Sequence, residues 1–290
     1  MDISVIIPAY NEANGIEPTL RELAATMAES GLEHEIVVVD DGSTDGTSAT
    51  VDALVSELPA VRLVRHPHNR GYGAALKTGI RSSRAGVITI TDADGTYPNE
   101  RIPELYHRLV DESADMVVGS RTGASVHIPL IRRPAKAFLR WLANYLSGRK
   151  IPDLNSGLRV MGKDAVSRHF RLVSDGFSFT TTTLLAMLAS NQHVVYVPID
   201  YHQRIGGSKI RPIRDTFNFM VLILRASVFF EPLKVFMPIA MALFAAGLGW
   251  TAYEFFVNGH GLAEGGLFLF VASLQTGLAG LIADMISRRD

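Results

Sequence analysis

Two carboxylates one residue apart, Asp92 and Asp94, follow the apolar run VITI in the stretch TDADGTYPNE. In a strand, residues i and i+2 share a face, so the two acids would converge on one small volume and repel unless a cation lies between them. Hard carboxylate oxygens suit Mg²⁺ or Mn²⁺, which bind through one or two carboxylates together with substrate phosphates. Asp and Gly are also turn formers, and on this stretch alone a plain chain reversal is the simpler account. A second pair, Asp40 and Asp41, closes VVVDDGSTDGT, where a carboxylate could accept hydrogen bonds from a nucleobase or a ribose. The structural alternative there is a helix N-cap region with Ser43, Thr44 and Asp45 as caps.

Other chemistries lack their residues. Cysteine is absent, which removes disulfides, thiolate catalysis and Cys-ligated zinc. Nine histidines are scattered without an H-E-x-x-H helix, and no G-x-S-x-G elbow occurs. RGYGAALKTG holds Gly71 and Gly73, but Leu76 stands where a dinucleotide fingerprint needs its third glycine, and no G-x-x-x-x-G-K-[ST] loop is present. These glycines instead predict a tight entry into a helix whose N-terminus packs near the site. A formal charge of -1 argues against a nucleic-acid partner. Strand-end carboxylates with nearby arginines suit a ligand that carries a metal-bound diphosphate and polar rings.

The elements that must position these residues alternate along the chain. Strands are expected in SVIIPAY, HEIVVVDD, VRLVRH, GVITITDAD and DMVVGSR, and helices over about Pro18–Ser30, Thr47–Leu58, Gly73–Ser83 and Glu100–Asp111. Such alternation predicts an α/β fold with a mostly parallel sheet, whose ligands bind beyond the carboxyl ends of the strands. The unusual polar residues fall at those ends: Tyr10 and Asn11, Asp40 and Asp41, Asp92 and Asp94, Ser120 and Arg121. MDISVIIPAYNE has no basic stretch before its apolar run and reads as a first strand, not a signal peptide.

The hydrophobic fraction of 47% and mean hydropathy of +0.17 are high for a soluble protein of 290 residues. Beyond residue 210 the character changes. TFNFMVLILRASVFFEPL, apolar but interrupted by Arg225 and Glu231, predicts a helix lying in a membrane interface over 211–234. Val235–Val257 is apolar except for Glu254 near its end, and at 1.5 Å per residue it is about 34 Å long. A second run, LFLFVASLQTGLAGLIADMI, follows the connector NGHGLAEGG. Together they predict a transmembrane hairpin within 235–290. Gly247, Gly249, Gly277 and Gly280 would let its helices approach closely, and Gln275 would hydrogen-bond across them. Arg225 and Lys234 precede the hairpin, Arg288 and Arg289 follow it, and the connector has no Lys or Arg, so residues 1–210 and the C-terminus are expected in the cytoplasm.

VIIPAYNE, VVVDDGSTDGT, TDADGTYP, VVGSR and DLNSGLRV, taken in this order, resemble a family 2 glycosyltransferase with the GT-A nucleotide-sugar-binding fold. The resemblance covers roughly residues 3 to 210. With the interfacial helix and the hairpin it extends to the polyprenyl-phosphate hexosyltransferase branch, which includes the dolichyl-phosphate mannose synthases. It implies that Pro8, Tyr10, Glu12 and either Asp40 or Asp41 line the nucleotide pocket, and that Asp92 and Asp94 hold the Mg²⁺ or Mn²⁺ bridging the donor diphosphate. Arg121 is implied to meet a donor or acceptor phosphate, for which a planar guanidinium is suited. Arg132, Arg133 and Lys136, with Arg204, Ser208 and Lys209 of a Gly-Ser-Lys-like loop, are implied to receive the acceptor phosphate. Asp153 falls in an active-site segment, as a contact to acceptor or sugar.

The implied partners are a nucleotide sugar, a polyprenyl phosphate and the lipid bilayer, and a homo-oligomer is compatible with the sequence. The implied reaction is in-line attack of the phosphate on the anomeric carbon with inversion, with no general base nominated. Two departures stand out. Gly95 and Thr96 replace the last two residues of the mannose synthases' D-A-D-L-Q, and FSFTTTTLLAML has threonines where many relatives carry a carboxylate near the sugar. Both favour a UDP-hexose over GDP-mannose. Alternatives are a lipid acceptor such as diacylglycerol, or a membrane-anchored scaffold without turnover. A processive synthase is disfavoured because Ala137 replaces the Gln of Q-x-x-R-W.

Overall fold

A computed structural model describes residues 1–122, 141, 144, 145, 148–176, 178–202, 221, 224, 228, 231–258 and 264–287. Val/Ile-rich runs form the strands β1 (Ile3–Ala9), β2 (His34–Asp40), β3 (Val61–Arg65), β4 (Val87–Ile90) and β5 (Met116–Ser120). All seven residues of β1 are buried, as expected of a central parallel strand covered on both faces. β6 (Arg159–Gly162) and β7 (Val194–Pro198) complete one seven-stranded sheet in the order β3-β2-β1-β4-β6-β5-β7.

The helices are α1 (Ile16–Glu29), α2 (Thr47–Glu57), α3 (Tyr72–Ser82), α4 (Ile102–Asp111), α5 (Lys163–Ser167) and α6 (Phe179–Ala189). α1 buries Ile16, Leu20, Leu23 and Met27, one stripe of a 3.6-residue period, against a core that includes Val5, Ile7, Ile36 and Val38. The expected elements are present with ends within about two residues for the helices, and α4 starts at Ile102 after a 3-10 turn at Asn99–Arg101.

Two features of the sheet determine where a site forms. The connection order reverses at β1, which has β2 on one side and β4 on the other, both parallel to it. Such a switch point opens a crevice at the carboxyl ends. β6 runs antiparallel to both β4 and β5, and its first residue, Arg159, pairs with Ile90 and Val118 near their carboxyl ends. The loop entering β6 therefore reaches the same edge of the sheet as the segments leaving the parallel strands. DLNSGLRV shows no strand pattern in the sequence, because the four residues of β6, opened by an arginine, carry almost no alternation.

By packing, the chain divides into two units, Met1–Arg140 with Lys150–Phe219, and Trp141–Arg149 with Met220–Asp290. The second contains α7 (Pro232–Val257) and α8 (Glu264–Ser287), each with an 18-residue stretch, of mean hydropathy 1.7 and 1.8, and each long and apolar enough to cross a membrane. At Gly247 an added Cβ would sit 2.9 Å from the Phe270 ring, and at Gly280 2.6 Å from Phe236 Cβ. Gly249 has nothing within 4 Å, and Gly277 only Ala240 at 3.9 Å. Among the described residues Ser273 Oγ donates a hydrogen bond across the helices to Ala240 O, 2.8 Å. Gln275 is exposed and among the described residues makes no bond across the helices, because it lies two positions from Ser273 and turns off that face.

Candidate active site

The segment after β1 is tied to the segment after β2. Asn11, in the left-handed region at φ 55°, donates its N–H to Ser43 Oγ (3.0 Å) and accepts the Thr44 N–H on Oδ1 (2.8 Å). Glu12 N–H donates to Thr47 Oγ1 (2.9 Å). Pro8 lies buried inside β1 opposite Val39, and Tyr10 is exposed at the strand end. These contacts gather the expected nucleotide-side residues on two adjoining strand ends.

Asp40 and Asp41 separate in role. Asp41 Oδ1 accepts from His66 Nδ1 (2.6 Å) and Arg70 N–H (2.9 Å), and its Oδ2 accepts from Gly71 N–H (2.8 Å). The remaining His66 nitrogen meets Thr78 Oγ1 at 2.9 Å. Asp41 thus holds the segment from β3 into α3. Among the described residues Asp40 accepts one side-chain bond, from Ser43 N–H to Oδ1 (2.9 Å).

β4 ends at Ile90, so Asp92 and Asp94 lie in a turn and not in extended strand. The alternation argument for their convergence does not hold. Gly95, at φ 66°, reverses the chain, and Asp94 Oδ1 accepts both Thr96 Oγ1–H (2.6 Å) and Thr96 N–H (3.2 Å). The turn is nevertheless placed where a ligand would bind. A Cβ on Gly15 would lie 2.9 Å from Ala93 O and 3.3 Å from Asp94 Cα, which puts the pair beside the segment leaving β1. Asp92 Oδ1 accepts the Tyr72 hydroxyl at 3.0 Å. Burial, reinforced by the charge of Asp92, raises Tyr72 well above the usual phenol range, so its hydroxyl is protonated and donates.

α3, which carries Tyr72, packs tightly at its start. Gly71 sits at φ 102°, and a Cβ on Gly73 would meet Ser174 O at 2.2 Å. Ala74 N–H donates to Asp175 O (2.9 Å), and Lys77 Nζ donates to Val173 O (2.6 Å) and Asp175 Oδ1 (2.7 Å). The glycines give close chain packing, as expected, and protein carbonyls rather than a phosphate cover this helix end.

On the other side of the turn, Arg121 grips Asp153 through Nε to Oδ2 (2.8 Å) and Nη2 to Oδ1 (2.9 Å), with Arg121 N–H to Oδ2 at 3.1 Å. Burial alone would raise the Asp153 carboxyl, but Arg121 and the N–H of Asn155 outweigh it and hold it at about 2. Arg121 lies 5.3 Å over the Tyr201 ring, and Tyr201 meets Tyr97 edge to face, also at 5.3 Å. Tyr97 Oη accepts Gly157 N–H at 2.6 Å. A Cβ on Gly157 would lie 3.0 Å from Asp92 Oδ2, so the β6 entry loop packs on the acidic turn.

Arg159 is fully buried and donates to three carbonyls, Ser156 O (2.9 Å), Leu154 O (3.0 Å) and Thr180 O (2.5 Å). Burial lowers it to about 10, against the opposing field of Asp153. Thr180 Oγ1, at the start of α6, donates to Asn155 Oδ1 (2.9 Å). The structure therefore brings Asp92, Asp94, Arg121 and Asp153 to one edge. It adds Tyr72, and with it Tyr97 of TDADGTYP and Gly157 and Arg159 of DLNSGLRV, residues to which the sequence assigns no role of their own. Arg132, Arg133, Lys136, Arg204, Ser208 and Lys209 lie outside the described residues.

Among the described residues no three of His, Asp and Glu gather to hold an ion by themselves. Two aspartates supply only part of a coordination shell, and the rest must come from water and a ligand. Mg²⁺ and Mn²⁺ with a diphosphate bind in that way, so the donor set fits them.

Carboxylates gathered at the switch point of a mostly parallel sheet, with one reversed strand beside them, define a GT-A nucleotide-sugar-binding domain. The same fold is found in glucosyl-3-phosphoglycerate synthase from Mycobacterium tuberculosis, solved in complex with Mn²⁺, uridine diphosphate and phosphoglyceric acid. The TM-score is 0.59 at 19% identity over 78% of each chain. Residues 4–170 match the family model for glycosyl transferase family 2, and the chain belongs to that family. Residues 231–288 match the GtrB C-terminal hairpin. The chain is similar to dodecaprenyl-phosphate galacturonate synthase of Rhizobium johnstonii, with 26% identity over 99% of this chain and 88% of that one. It is also similar to undecaprenyl-phosphate mannosyltransferase of Micrococcus luteus, with 29% identity over 72% of this chain and 88% of that one.

Proposed function

We propose that this enzyme transfers a hexose, with inversion, from a nucleotide sugar to a polyprenyl phosphate at the cytoplasmic face of a membrane, using Mg²⁺ or Mn²⁺. The observation that carries the reading is the juxtaposition of the Asp92–Asp94 turn with the loop holding Asp153 and, through it, Arg121. Relatives that act on prenyl phosphates align with nearly the whole chain or with its larger part, and the hairpin match favours a lipid-linked acceptor. A UDP-hexose is the favoured donor, because the first turn of α6 offers Thr180–Thr183 and no carboxylate.

Asp40, Pro8, Tyr10 and Glu12 would line the nucleotide side; Asp41 is committed to the segment that runs from β3 into α3. Asp92 and Asp94 would hold the divalent ion, which when bound neutralises the leaving diphosphate. Arg121 has Nε and Nη2 fixed on Asp153, and among the described residues Nη1 makes no hydrogen bond, so it would donate to a phosphate oxygen. This is preorganised charge stabilisation, the main source of rate when the nucleophile is already anionic. A phosphate monoester is such a nucleophile at neutral pH, its second pKa being about 6, so no side chain need act as base. Arg132, Arg133, Lys136, Arg204, Ser208 and Lys209 remain the proposed acceptor-phosphate residues, and Asp153 a positioning residue for Arg121.

The test is nucleotide release by the full chain in detergent, with UDP- and GDP-sugars, with and without a polyprenyl phosphate or diacylglycerol, and with Mg²⁺, Mn²⁺ or chelator. Release that needs prenyl phosphate and metal and is lost in Asp94→Asn is the expected result. Release stimulated only by diacylglycerol would move the acceptor, and nucleotide binding without release from any donor would leave a scaffold.

A further inference from the structure

Arg121 is held from two directions. Asp153 takes the edge of its guanidinium through Nε and Nη2, and the Tyr201 ring covers a face, with the guanidinium carbon 5.3 Å from the ring centre. Two parallel bonds fix a planar group in its own plane but let it tilt about the line through the bonded nitrogens. An aromatic face set against the group stops that tilt, and its negative quadrupole attracts the cation as well. The ring is what Tyr201 contributes, because among the described residues its hydroxyl makes no hydrogen bond.

The ring is itself seated by the rest of the site. Ile199 N–H donates to Ser120 O (2.8 Å), which pins the chain leaving β7 to the residue before Arg121. His202 N–H donates to Thr96 O (2.9 Å), which pins the same chain to the acidic turn. Tyr201 stands between these two bonds, and its ring meets Tyr97 of the turn edge to face at 5.3 Å. Tyr97 is buried and its Oη accepts Gly157 N–H at 2.6 Å, so it cannot shift without losing that bond. The plane of Arg121 is therefore set by the turn that carries Asp92 and Asp94 as well as by Asp153.

Two anions react only when the groups that hold them stand at a fixed separation, and a displacement of about 1 Å can cost about 100-fold in rate. We propose that Tyr201 is a positioning residue for Arg121, whose ring fixes the guanidinium plane and ties it to the acidic turn, so that Nη1 meets a phosphate oxygen at a set distance from the donor site. The inference rests on the reading of Arg121 as a phosphate-contacting residue. It gives a task to a side chain to which the sequence assigns none, and the task belongs to the ring and not to the hydroxyl.

The test is a double-substitution cycle on nucleotide release by the full chain in detergent at saturating metal, with Tyr201→Leu, Tyr201→Phe, Arg121→Ala, and Arg121→Ala combined with Tyr201→Leu. Tyr201→Leu is expected to lower kcat/KM for the prenyl phosphate by roughly 10- to 100-fold, and Tyr201→Phe, which keeps the ring, to retain most of the wild-type value. In the Arg121→Ala background the same leucine substitution should cost less than about threefold, because the group that the ring positions is gone. A ring that only supports the fold would cost as much in both backgrounds. Equal losses in the two backgrounds, or a Tyr201→Phe loss as large as that of Tyr201→Leu, would overturn the proposal. Wild-type turnover in Arg121→Ala would overturn the reading of Arg121 beneath it. Calorimetric binding of the released nucleotide with Mg²⁺ then identifies the phosphate, and either result supports the proposal: binding weakened along with turnover puts Nη1 on the donor, and unchanged binding with a raised KM for the prenyl phosphate puts it on the acceptor. Thermal melts separate these results from misfolding, and Tyr201→Met carries the same comparison if the leucine variant does not fold.

Discussion

Arg121 and Asp153 face each other through two parallel hydrogen bonds, Nε to Oδ2 at 2.8 Å and Nη2 to Oδ1 at 2.9 Å, joining the end of β5 to the loop that enters β6. Both side chains are largely buried, at 20% and 12% exposure, so neither charge can be removed without leaving the other uncompensated. Asp153→Asn preserves shape but leaves Arg121 against a neutral amide. The expected loss is about 3–5 kcal/mol, read by thermal or denaturant unfolding of the full chain in detergent. The folded Asp153 value of about 2 lies below that of a free aspartate, about 3.9. Its contribution to stability is therefore complete above the free value and is lost as the pH falls toward 2. From pH 5 to 8 this pair should give no step in stability, and a step in that range present in wild type and absent in Asp153→Asn would refute the assignment.

Asp40 and Asp41 are adjacent and equally hidden, yet their substitutions should separate. Asp41→Asn removes the charge from three donors, His66, Arg70 and Gly71, and is expected to cost roughly 2–4 kcal/mol. Asp40→Asn weakens a single turn bond from Ser43 and should cost about 1 kcal/mol, with a larger effect on nucleotide affinity than on the melt. Paired calorimetry and melting curves decide it. If Asp40→Asn melts like Asp41→Asn and binds nucleotide like wild type, Asp40 is structural too.

The sheet was legible because its parallel strands are continuous apolar runs that end in polar residues, and the hairpin because spanning length is a composition signal. The acidic turn was legible for the wrong reason, since two acids at i and i+2 suggested a strand, whereas the strand had already ended at Ile90. Tyr97, Gly157 and Arg159 stand inside quoted motifs, but their contacts and those of Tyr72 were hidden because each meets its partner over 20 or more residues in sequence, or bonds backbone carbonyls that leave no pattern. For Tyr72 the hint was the glycine pair around it, which announced a tight approach without naming what approached.

The hairpin should depend on some of its glycines and not on others. At Gly280 even a methyl group would press on Phe236 Cβ at 2.6 Å, whereas Gly249 has open space. Gly280→Leu is therefore expected to lower the melting temperature of the detergent-solubilised chain, and Gly249→Leu to leave it unchanged. Because residues of the sheet bury their own core, UDP binding near room temperature should survive both substitutions. Equal melting temperatures for the two variants would count against the packing of α7 on α8 described above.

Gly157 offers a way to move Asp92 without touching its chemistry. An alanine methyl there would lie 3.0 Å from Asp92 Oδ2 and 3.0 Å from Tyr97 Cε2, close enough that one neighbour must give. Tyr97 is buried and its hydroxyl is held by Gly157 N–H at 2.6 Å, so the ring cannot retreat without losing that bond. The Asp92 carboxylate must then turn, against the Tyr72 hydroxyl that holds its Oδ1. Overpacking of one methyl costs about 1–3 kcal/mol, so the variant should still fold. Its expected signature is a rise of roughly tenfold in the Mg²⁺ concentration needed for half-maximal nucleotide release, with much less change at saturating metal. Gly86→Ala, at a position with nothing within 4 Å, is the control and should match wild type. If Gly157→Ala melts lower but keeps the wild-type metal titration, the β6 entry loop supports the fold without aiming Asp92.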